Sequence, residues 1–317
     1  MQHYPWEYAF SAAQTYLAFI RPEQDSYVQI WNIPQRSLDS EWRGPEDSPS
    51  YPLHDAALSW SPTSPSLAIY ANWRQPEMHL WLAGEKRLLW RTDISPRKGQ
   101  PASAQEGIKG IKWSSDGLAL AYTYASDLSH IGVLDARTGA IRFQTTMAPS
   151  SPAAIGEAFA WSPDGTHLAF FANEQNGPVL QVWQAQTGQH LFTCQRVQGS
   201  VGLALGGVGN PNIGEPGIVS WSPDGRYLVA RTLPENKPAQ ATLQFWDAHT
   251  GKALFSYHAP YEDDFLGWSP KLLWSPDSHF LAAYMLTSAN CSVPKGFPGH
   301  PNCSTRMLFR CFRLGDS

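Results

Sequence analysis

The chain carries little charge of either sign, and no part of it is strongly basic. Charged residues make up 16% of its 317 residues, and the formal net charge is −4. No run of lysine or arginine forms the basic stripe that would neutralise nucleic-acid phosphates. No window approaches the roughly 18 apolar residues of a membrane-spanning helix. The sequence therefore predicts neither a nucleic-acid partner nor a membrane span.

Signal and helix patterns are also scarce. The first ten residues, MQHYPWEYAF, lack the basic and apolar segments of a secretory signal. Long helical patterns are hard to find, whereas 26 prolines and 25 glycines supply many turns. This combination predicts an all-β protein of many short strands. We expect a soluble protein that is monomeric by itself.

Motifs that carry catalysis are missing from the sequence. It contains no GxSxG elbow, no HExxH pair and no GxxxxGK[ST] phosphate loop. Its four cysteines form no CxxC knuckle of the kind that marks structural zinc. The Gly-rich stretch LGGVGNPNIG lacks the following Lys-Ser/Thr and is predicted to be a flexible connection. We therefore predict no catalytic residue, no metal site and no cofactor.

What the sequence does contain is a repeated turn between apolar segments. AWSPDGTHLAFF, SWSPDGRYLVAR and KWSSDGLALAYT are three copies, and AFSAAQTYLAFI, SWSPTSPSLAIY and LWSPDSHFLAAY are related to them. The first-series aromatics of these copies are Phe10, Trp60, Trp113, Trp161, Trp221 and Trp274, which lie 48 to 60 residues apart. Self-similarity at such a period indicates a repeat architecture.

A second series follows the first in every repeat. The segments are VQIWNI, MHLWLA, IGVLDA, LQVWQA, LQFWDA and FRCFRL, with Trp31, Trp81, Leu134, Trp183, Trp246 and Phe312 at the matching position. The offsets from the first series to the second are 21, 21, 21, 22, 25 and 38 residues. Length is therefore fixed inside the unit, and insertions collect at particular places. Five tryptophans fall outside both series: Trp6, Trp42, Trp73, Trp90 and Trp268.

Each unit has a simple physical interpretation. Ser-Pro-Asp-Gly fits a type I turn, with Pro pre-setting φ at the second position and Gly free to take positive φ at the fourth. A third strand carries the second-series residue, and a Gly-containing turn such as DAHTG leads to a fourth strand. Four antiparallel strands form one blade, and several such blades arranged around an axis form a β-propeller. We expect both aromatic series to pack between neighbouring blades.

LQFWDAHTGKALFSY and LQVWQAQTGQHLFT resemble the WD-repeat β-propeller family, and WSPDG-x-x-L-A is common to that family and to TolB-like propellers. The resemblance spans essentially the whole chain. Two features depart from the family: the Gly-His pair that opens a WD repeat is absent, and only Asp135 and Asp247 keep the Asp of the Trp-Asp pair. We therefore expect hydrophobic packing to hold the blades together.

The predicted organisation is a single propeller domain of six four-stranded blades, with seven as the alternative. The repeats cover approximately residues 1–45, 46–97, 98–147, 148–198, 199–259 and 260–317. The sixth repeat stops after its third strand, so its blade is either three-stranded or has lost a flanking segment.

Loop length predicts where a partner binds. The first and third connections of each unit are short, whereas the second connections and the crossings between units vary in length. Inserted loops on a rigid scaffold often carry binding residues. The candidate partner-binding residues are Trp73, Arg74, Asp127, Asn173, Glu174, Asn236, Lys237, Tyr261, Glu262, Asp263, Asp264, Phe297 and His300. The alternative is that these loops are tolerated surface insertions.

The leading functional hypothesis is thus a non-catalytic scaffold for protein partners. A second hypothesis is a propeller enzyme or a binder of a small molecule, sugar or metal in the central channel. The first strands offer that channel few ionisable groups beyond Glu157 and Lys112. A third hypothesis is an accessory module of a longer signalling protein.

Cysteine spacing leaves the compartment open. Cys291 and Cys303 bracket a Pro- and Gly-rich loop, which a disulfide would close and restrict. A disulfide would place the protein outside the cytoplasm, whereas the missing signal segment favours the cytoplasm. A metal site of Cys291, His300, Cys303 and Cys311, or four free thiols, are the alternatives. Cys194 is predicted to be a buried apolar side chain in a fourth strand.

Overall fold

The computed structural model describes residues 8–21, 27–43, 56–72, 76–95, 107–125, 130–147, 159–174, 177–195, 200–201, 219–234, 242–258, 265–292 and 302–313. Over these residues the chain forms six antiparallel β-sheets. In the same ranges, no helix has the length and apolar character needed to cross a membrane.

The first three sheets each contain four strands in chain order. Sheet 1 contains β1 (Tyr8–Phe10), β2 (Tyr16–Arg21), β3 (Tyr27–Asn32) and β4 (Ser37–Trp42). Sheet 2 contains β5 (Ala56–Trp60), β6 (Ser66–Asn72), β7 (Pro76–Leu82) and β8 (Arg87–Asp93). Sheet 3 contains β9 (Gly107–Trp113), β10 (Ala119–Ala125), β11 (His130–Asp135) and β12 (Ile141–Thr146).

The other three sheets differ in strand number. Sheet 4 contains β13 (Phe159–Trp161), β14 (His167–Glu174), β15 (Gly177–Gln184) and β16 (Gln189–Thr193). Sheet 5 contains β17 (Ser200–Val201), β18 (Val219–Trp221), β19 (Tyr227–Pro234), β20 (Thr242–Asp247) and β21 (Ala253–His258). Sheet 6 contains β22 (Phe265–Trp274), β23 (Phe280–Ser292) and β24 (Asn302–Arg313). In sheet 5, β17 and β18 both pair with β19, at different points along it.

The chain divides into two compact units. Unit 1 comprises Met1–Met147, Asp164–His167 and Gln184–Gln189. Unit 2 comprises Ala148–Pro163, Leu168–Trp183 and His190–Ser317.

The first connection of each sheet is a tight turn with side-chain support. In sheet 5 the main-chain N–H of Gly225 donates to the carbonyl of Ser222 at 2.9 Å, and Gly225 has φ +75°. The Ser222 hydroxyl donates to Asp224 at 2.6 Å and accepts from the main-chain N–H of Tyr227 at 2.9 Å. A serine hydroxyl therefore closes the hairpin from inside, which explains why serine opens the repeated motif.

Strand β6, in the interior of sheet 2, is buried on both faces. Along β6, Leu67 and Ile69 pack into a core shared with sheet 1, whereas Ala68 and Tyr70 pack into a core shared with sheet 3. A strand covered on both sides needs a continuous apolar run rather than alternation. The segment SLAIYA has that pattern.

First-series tryptophans bind the preceding sheet through their indole N–H groups. The bonds are Trp60 Nε1 to Ala9 O at 2.9 Å, Trp113 Nε1 to Ser59 O at 3.0 Å, Trp221 Nε1 to Ala160 O at 3.2 Å and Trp274 Nε1 to Ser220 Oγ at 3.1 Å. In each case the acceptor atom belongs to the residue immediately before the first-series residue of the preceding sheet. Hydrophobic packing is therefore supplemented by hydrogen bonds between sheets, because a buried indole N–H requires an acceptor.

The first-series position of sheet 1 differs from the others. Phe10 is 54% exposed, and among the described residues its ring pairs edge-on with that of Tyr8, with ring centres 6.2 Å apart. The expectation of a ring packed between repeats does not hold at this residue within the described structure. Phenylalanine also lacks the N–H that lets tryptophan bond to a neighbouring strand.

Residues of the second series contribute hydrogen bonds from indole N–H groups or apolar burial. Trp81 Nε1 donates to Ser40 Oγ of sheet 1 at 3.2 Å, and Trp246 Nε1 donates to Gln195 O at 2.9 Å. Leu134 has no polar atom in its side chain and is fully buried. The backbone of Phe312 pairs with that of Leu281 in sheet 6, and its side chain lies outside the described structure.

Candidate functional site

The two ends of the sheets differ in how much their connections vary. The first connections all contain five residues: 11–15, 61–65, 114–118, 162–166, 222–226 and 275–279. The second connections are residues 22–26, 73–75, 126–129, 175–176, 235–241 and 293–301, which range from two residues to nine. In an antiparallel sheet these two kinds of connection lie at opposite ends. We call the end with the second connections and the crossings the variable end, and the other the turn end.

Most of the predicted partner-binding residues lie outside the described residues. These are Trp73, Arg74, Asp127, Asn236, Lys237, Tyr261, Glu262, Asp263, Asp264, Phe297 and His300. Asn173 and Glu174 are the last two residues of β14, and only the side chain of Glu174 is described. The grouping of these residues into one surface therefore remains a prediction.

Glu174 is exposed at the variable end, and its carboxylate is held in place. Gln181 Nε2 donates to Glu174 Oε1 at 3.0 Å, and Trp183 Nε1 donates to Gln181 Oε1 at 3.0 Å. The exposed carboxylate is thus connected through a buried amide to a second-series indole. Such an acceptor has less freedom to lose when it binds another molecule.

Sheet 1 contains a similar relay that ends in a charged pair. Trp31 Nε1 donates to Gln29 Oε1 at 3.4 Å, and Gln29 Nε2 donates to Glu41 Oε1 at 2.8 Å. The other oxygen of Glu41 accepts from Arg43 at 2.8 Å, and the Arg43 guanidinium lies 4.4 Å from the ring centre of Tyr27. The variable end of sheet 1 therefore presents an ordered ion pair on an aromatic ring.

At the turn end, the aspartates of the Trp-Asp type stabilise turns. Asp247 Oδ1 accepts from the main-chain N–H of His249 at 3.1 Å and from the N–H and hydroxyl of Thr250 at 2.8 and 2.7 Å. Asp135 accepts in the same way from Arg137 and Thr138. The hydrogen bond from the Thr250 side chain, helped by the main-chain bonds, lowers the pKa of Asp247. Both carboxylates therefore stabilise their own turns.

The lowered pKa of Asp247 predicts acid sensitivity. Its ionised form is favoured in the folded state, so its contribution is present above the unfolded value of 3.8 and is lost as the pH falls through the lower folded value. We expect the free energy of unfolding to fall between about pH 5 and about pH 3, and to fall less in Asp247→Asn. Urea unfolding across this range measures both slopes. Glu85→Gln, at another turn, is the control; equal slopes for wild type and Asp247→Asn would contradict the prediction.

A third aromatic series, which the sequence analysis missed, packs at the turn end. Trp90, Phe143 and Phe192 each follow a second-series residue by nine positions. A Cβ atom added to Gly139, Gly188 or Gly251, in the third turn of the next sheet, would lie 2.6, 2.6 or 2.8 Å from those side chains respectively. Trp90 also donates to Ala136 O at 2.9 Å. The constant spacing of nine is the signal that could have identified this series.

A half-open cleft of about 340 Å³ lies between the first turns of sheets 1 and 2. Its lining comes from Ser11, Ala12, Ala13, Thr15, Tyr16, Pro62, Thr63, Ser64 and Pro65. Tyr16 stacks on the first-series Trp60 with ring centres 5.8 Å apart. No charged side chain lines the cleft, so it offers no ionised acid or base.

The structure describes one of the two ionisable residues that the sequence offers to a central channel. Lys112 lies half-buried in β9, and Glu157 lies outside the described residues. Within the described ranges, no three His, Cys, Asp or Glu side chains are grouped to hold a metal ion.

The disulfide between Cys291 and Cys303 remains a prediction. The pairing of Ala289 with Ser304 and of Ser292 with Asn302 places Cys291 and Cys303 at a bulge between β23 and β24. Their side chains, like that of Cys311, lie outside the described structure. Cys194 is a buried free thiol one residue after β16, and burial raises its pKa to about 12. It is therefore an unreactive apolar side chain.

Comparison with known proteins yields structural likeness only. No protein-family model matches the sequence, and no curated protein matches it. Among solved structures, a crystal structure of the mitotic checkpoint complex is 19% identical, with 87% of this chain and 70% of that chain covered and a TM-score of 0.51. The Dos1 propeller is 12% identical over 88% of this chain and 67% of that chain, also with a TM-score of 0.51.

A crystal structure of the eukaryotic initiation factor is 14% identical over 80% of this chain, with a TM-score of 0.49. This chain spans about half of that one, 54% of its length. The two comparisons above a TM-score of 0.5, together with the antiparallel four-stranded sheets, define the class: this is an all-β protein with a β-propeller fold.

Proposed function

We propose that this protein is a non-catalytic scaffold that binds a protein partner at its variable end. The observation that carries the proposal is the contrast in connection length. All six first connections contain five residues, whereas the second connections range from two to nine residues and the crossings at residues 43–55 and 94–106 each contain thirteen. A rigid framework that keeps one end constant and varies the other favours recognition by the variable loops.

At the turn end, side chains make contacts within the protein itself, which supports this assignment. Asp135 and Asp247 stabilise their own turns, and the third-turn glycines pack against aromatic rings of the preceding sheet. At the variable end, Glu174 and the ion pair of Glu41 with Arg43 are held in fixed positions close to the loops. Fixed polar groups beside variable loops suit an interface formed with little rearrangement.

We further propose that the propeller is of the WD-repeat type. Support comes from the LQFWDAHTG segment, in which the Asp that follows the second-series Trp accepts three hydrogen bonds from its turn. One structurally similar chain belongs to the mitotic checkpoint complex, an assembly of proteins. A partner-binding role for the present chain agrees with that likeness.

Affinity capture with the full chain as bait tests the binding face. We expect Trp73→Ala combined with Arg74→Ala, and separately alanine at Glu262, Asp263 and Asp264, to weaken capture of a partner about tenfold or more. Tryptophan and arginine are frequent interface hot spots, and tenfold corresponds to about 1.4 kcal/mol. The readout is the dissociation constant of each captured partner.

The matched control is a charged pair at the turn end. Glu85 and Arg87 are exposed and joined by a 2.6 Å contact, so Glu85→Ala with Arg87→Ala removes an acid and a base from the opposite end. Capture should survive this change. Undiminished capture of every partner by both variable-end variants would refute the proposed face.

A further inference from the structure

The first turn of sheet 1 lacks a carboxylate that four other first turns contain. In sheets 3 to 6 the third residue of this five-residue turn is an aspartate: Asp116, Asp164, Asp224 and Asp277. Each of these aspartates accepts the main-chain N–H of the fifth turn residue, at 2.9 to 3.1 Å. The third residue is instead Ala13 in sheet 1 and Thr63 in sheet 2. Two of the six first turns, all of which lie within the described ranges, therefore have no carboxylate at this position.

The turn of sheet 1 otherwise repeats the arrangement of the first turn in sheet 5. Ser11 Oγ accepts from the main-chain N–H of Tyr16 at 2.9 Å, as the equivalent serine of sheet 5 does from its own strand. The fourth residue, Gln14, has φ +53° and donates its main-chain N–H to the Ser11 carbonyl at 2.8 Å. In sheet 5 the aspartate is held by the serine hydroxyl and by the N–H of the fifth residue. Their counterparts in sheet 1 are the Ser11 hydroxyl and the Thr15 N–H.

These two donors remain available in sheet 1. Within the part of the chain that the structure describes, neither the Ser11 hydroxyl nor the Thr15 N–H donates a hydrogen bond. Sheet 2 differs, because the fifth residue of its first turn is Pro65, which has no N–H. In sheet 6 the same pair of donors favours an ionised acceptor: the hydrogen bond from Ser275, helped by that from the fifth-residue N–H, lowers the pKa of Asp277. The donor pair of sheet 1 therefore suits a carboxylate.

Both donors lie at the cleft between the first turns of sheets 1 and 2. Ser11, Ala13 and Thr15 all line this cleft, and its volume of about 340 Å³ is within the range of about 300–1,000 Å³ that small-molecule sites occupy. Its aromatic wall is Tyr16, whose ring is held against Trp60 with ring centres 5.8 Å apart. No acidic side chain is among the lining residues, so a bound anion meets no like charge there. The cleft therefore combines a donor pair for an anion with space for a small molecule.

We propose that this cleft binds a small monocarboxylate with an uncharged, apolar body. The Ser11 hydroxyl and the Thr15 N–H donate to the ligand carboxylate, which takes the place that an aspartate side chain occupies in the equivalent turns. Hydrogen bonds to an ionised acceptor are roughly twice as strong as neutral ones. The body of the ligand lies among Ala12, Pro62 and the ring of Tyr16, which are apolar parts of the lining. The site is at the turn end, so it is independent of the partner surface proposed at the variable end.

Benzoate and its uncharged analogue benzamide test the proposal on the full chain by amide NMR. We expect benzoate to move the Thr15 amide signal along a saturable curve, with a dissociation constant on the order of 1 mM. The Arg226 amide, which already donates to Asp224 in the equivalent position, should stay constant. Benzamide has the same ring without the charge and should bind at least tenfold more weakly. A Thr15 signal that benzoate does not move, or that benzamide moves equally, overturns the proposal.

Ala13→Asp supplies the missing carboxylate from the chain itself. It should shift the Thr15 amide signal in the absence of ligand and weaken benzoate binding at least tenfold, because the donors are then occupied. Gln14→Glu is the charge-matched control, since it adds the same charge one residue away on an exposed side chain that does not line the cleft. Benzoate binding should survive this change. Binding to Ala13→Asp as tight as to wild type overturns the proposal, and the comparison of benzoate with benzamide on wild type needs neither variant to fold.

Discussion

Replacing Trp246 with alanine is expected to lower the free energy of unfolding by about 3–5 kcal/mol, the usual range for a buried tryptophan. Its side chain is 4% exposed and packs with Phe171, Leu180 and Leu228 in the core of unit 2. Its Nε1 also donates to the carbonyl of Gln195 at 2.9 Å. The substitution removes the ring, leaves a cavity and leaves a carbonyl without this donor, so three losses coincide.

Two variants separate these losses. Trp246→Phe keeps much of the apolar ring but removes the N–H donor, and it should cost less than alanine, with about 1 kcal/mol from the hydrogen bond. Leu254→Ala changes a side chain that is 43% exposed, and it should stay within about 0.5 kcal/mol of wild type. Guanidinium unfolding gives the midpoints. A cost for Trp246→Ala no larger than that for Leu254→Ala would contradict a structural role of the indole.

Replacing Gly251 with alanine is expected to be the most damaging single-methyl change in unit 2 among the described glycines with positive φ. Gly251 has φ +68°, which costs an L-residue about 1–2 kcal/mol. The added Cβ would also lie 2.8 Å from a ring carbon of Phe192 and 3.1 Å from the Cα of Cys194. Because one of these atoms is backbone, relief requires the main chain at Cys194 to move, which adds about 1–3 kcal/mol.

Gly225→Ala is the matched control for this substitution. Gly225 has φ +75°, but its Cβ would find the nearest atom, in Pro163, at 3.9 Å. It should therefore carry only the conformational cost of about 1–2 kcal/mol. The difference between the two variants, measured by chemical unfolding, isolates the contact with the preceding strand. Equal costs would mean that the third turn does not pack against Phe192.

Much of the local structure could be predicted from residue patterns. Ser-Pro-Asp-Gly predicted the turn because its proline and glycine each select a backbone conformation, and Gly225 adopts the expected positive φ. The repeat period and the antiparallel four-stranded unit followed from the same signals. These features depend on residues that are close together in the chain, so a single repeat contains the information.

The acceptors of the indole groups could not be predicted in this way. Trp113 donates to Ser59, 54 residues earlier, and that partner is known only when the neighbouring sheet is in place. The exposure of Phe10 is another case, since the six first-series residues look equivalent in the sequence. The third aromatic series had a readable spacing, but its meaning depends on a glycine of the next sheet.

The candidate site shows the same division. The sequence by itself determined the repeat, the turn chemistry and the places where connections vary in length, because these are properties of short segments. Only the tertiary structure decided that the Trp-Asp aspartates serve their own turns, that Glu174 is held through Gln181, and that a cleft lies between the first turns of sheets 1 and 2. The reason is physical: hydrogen-bond partners and burial are set by which strand lies alongside, and strands that are adjacent in space are often distant in sequence.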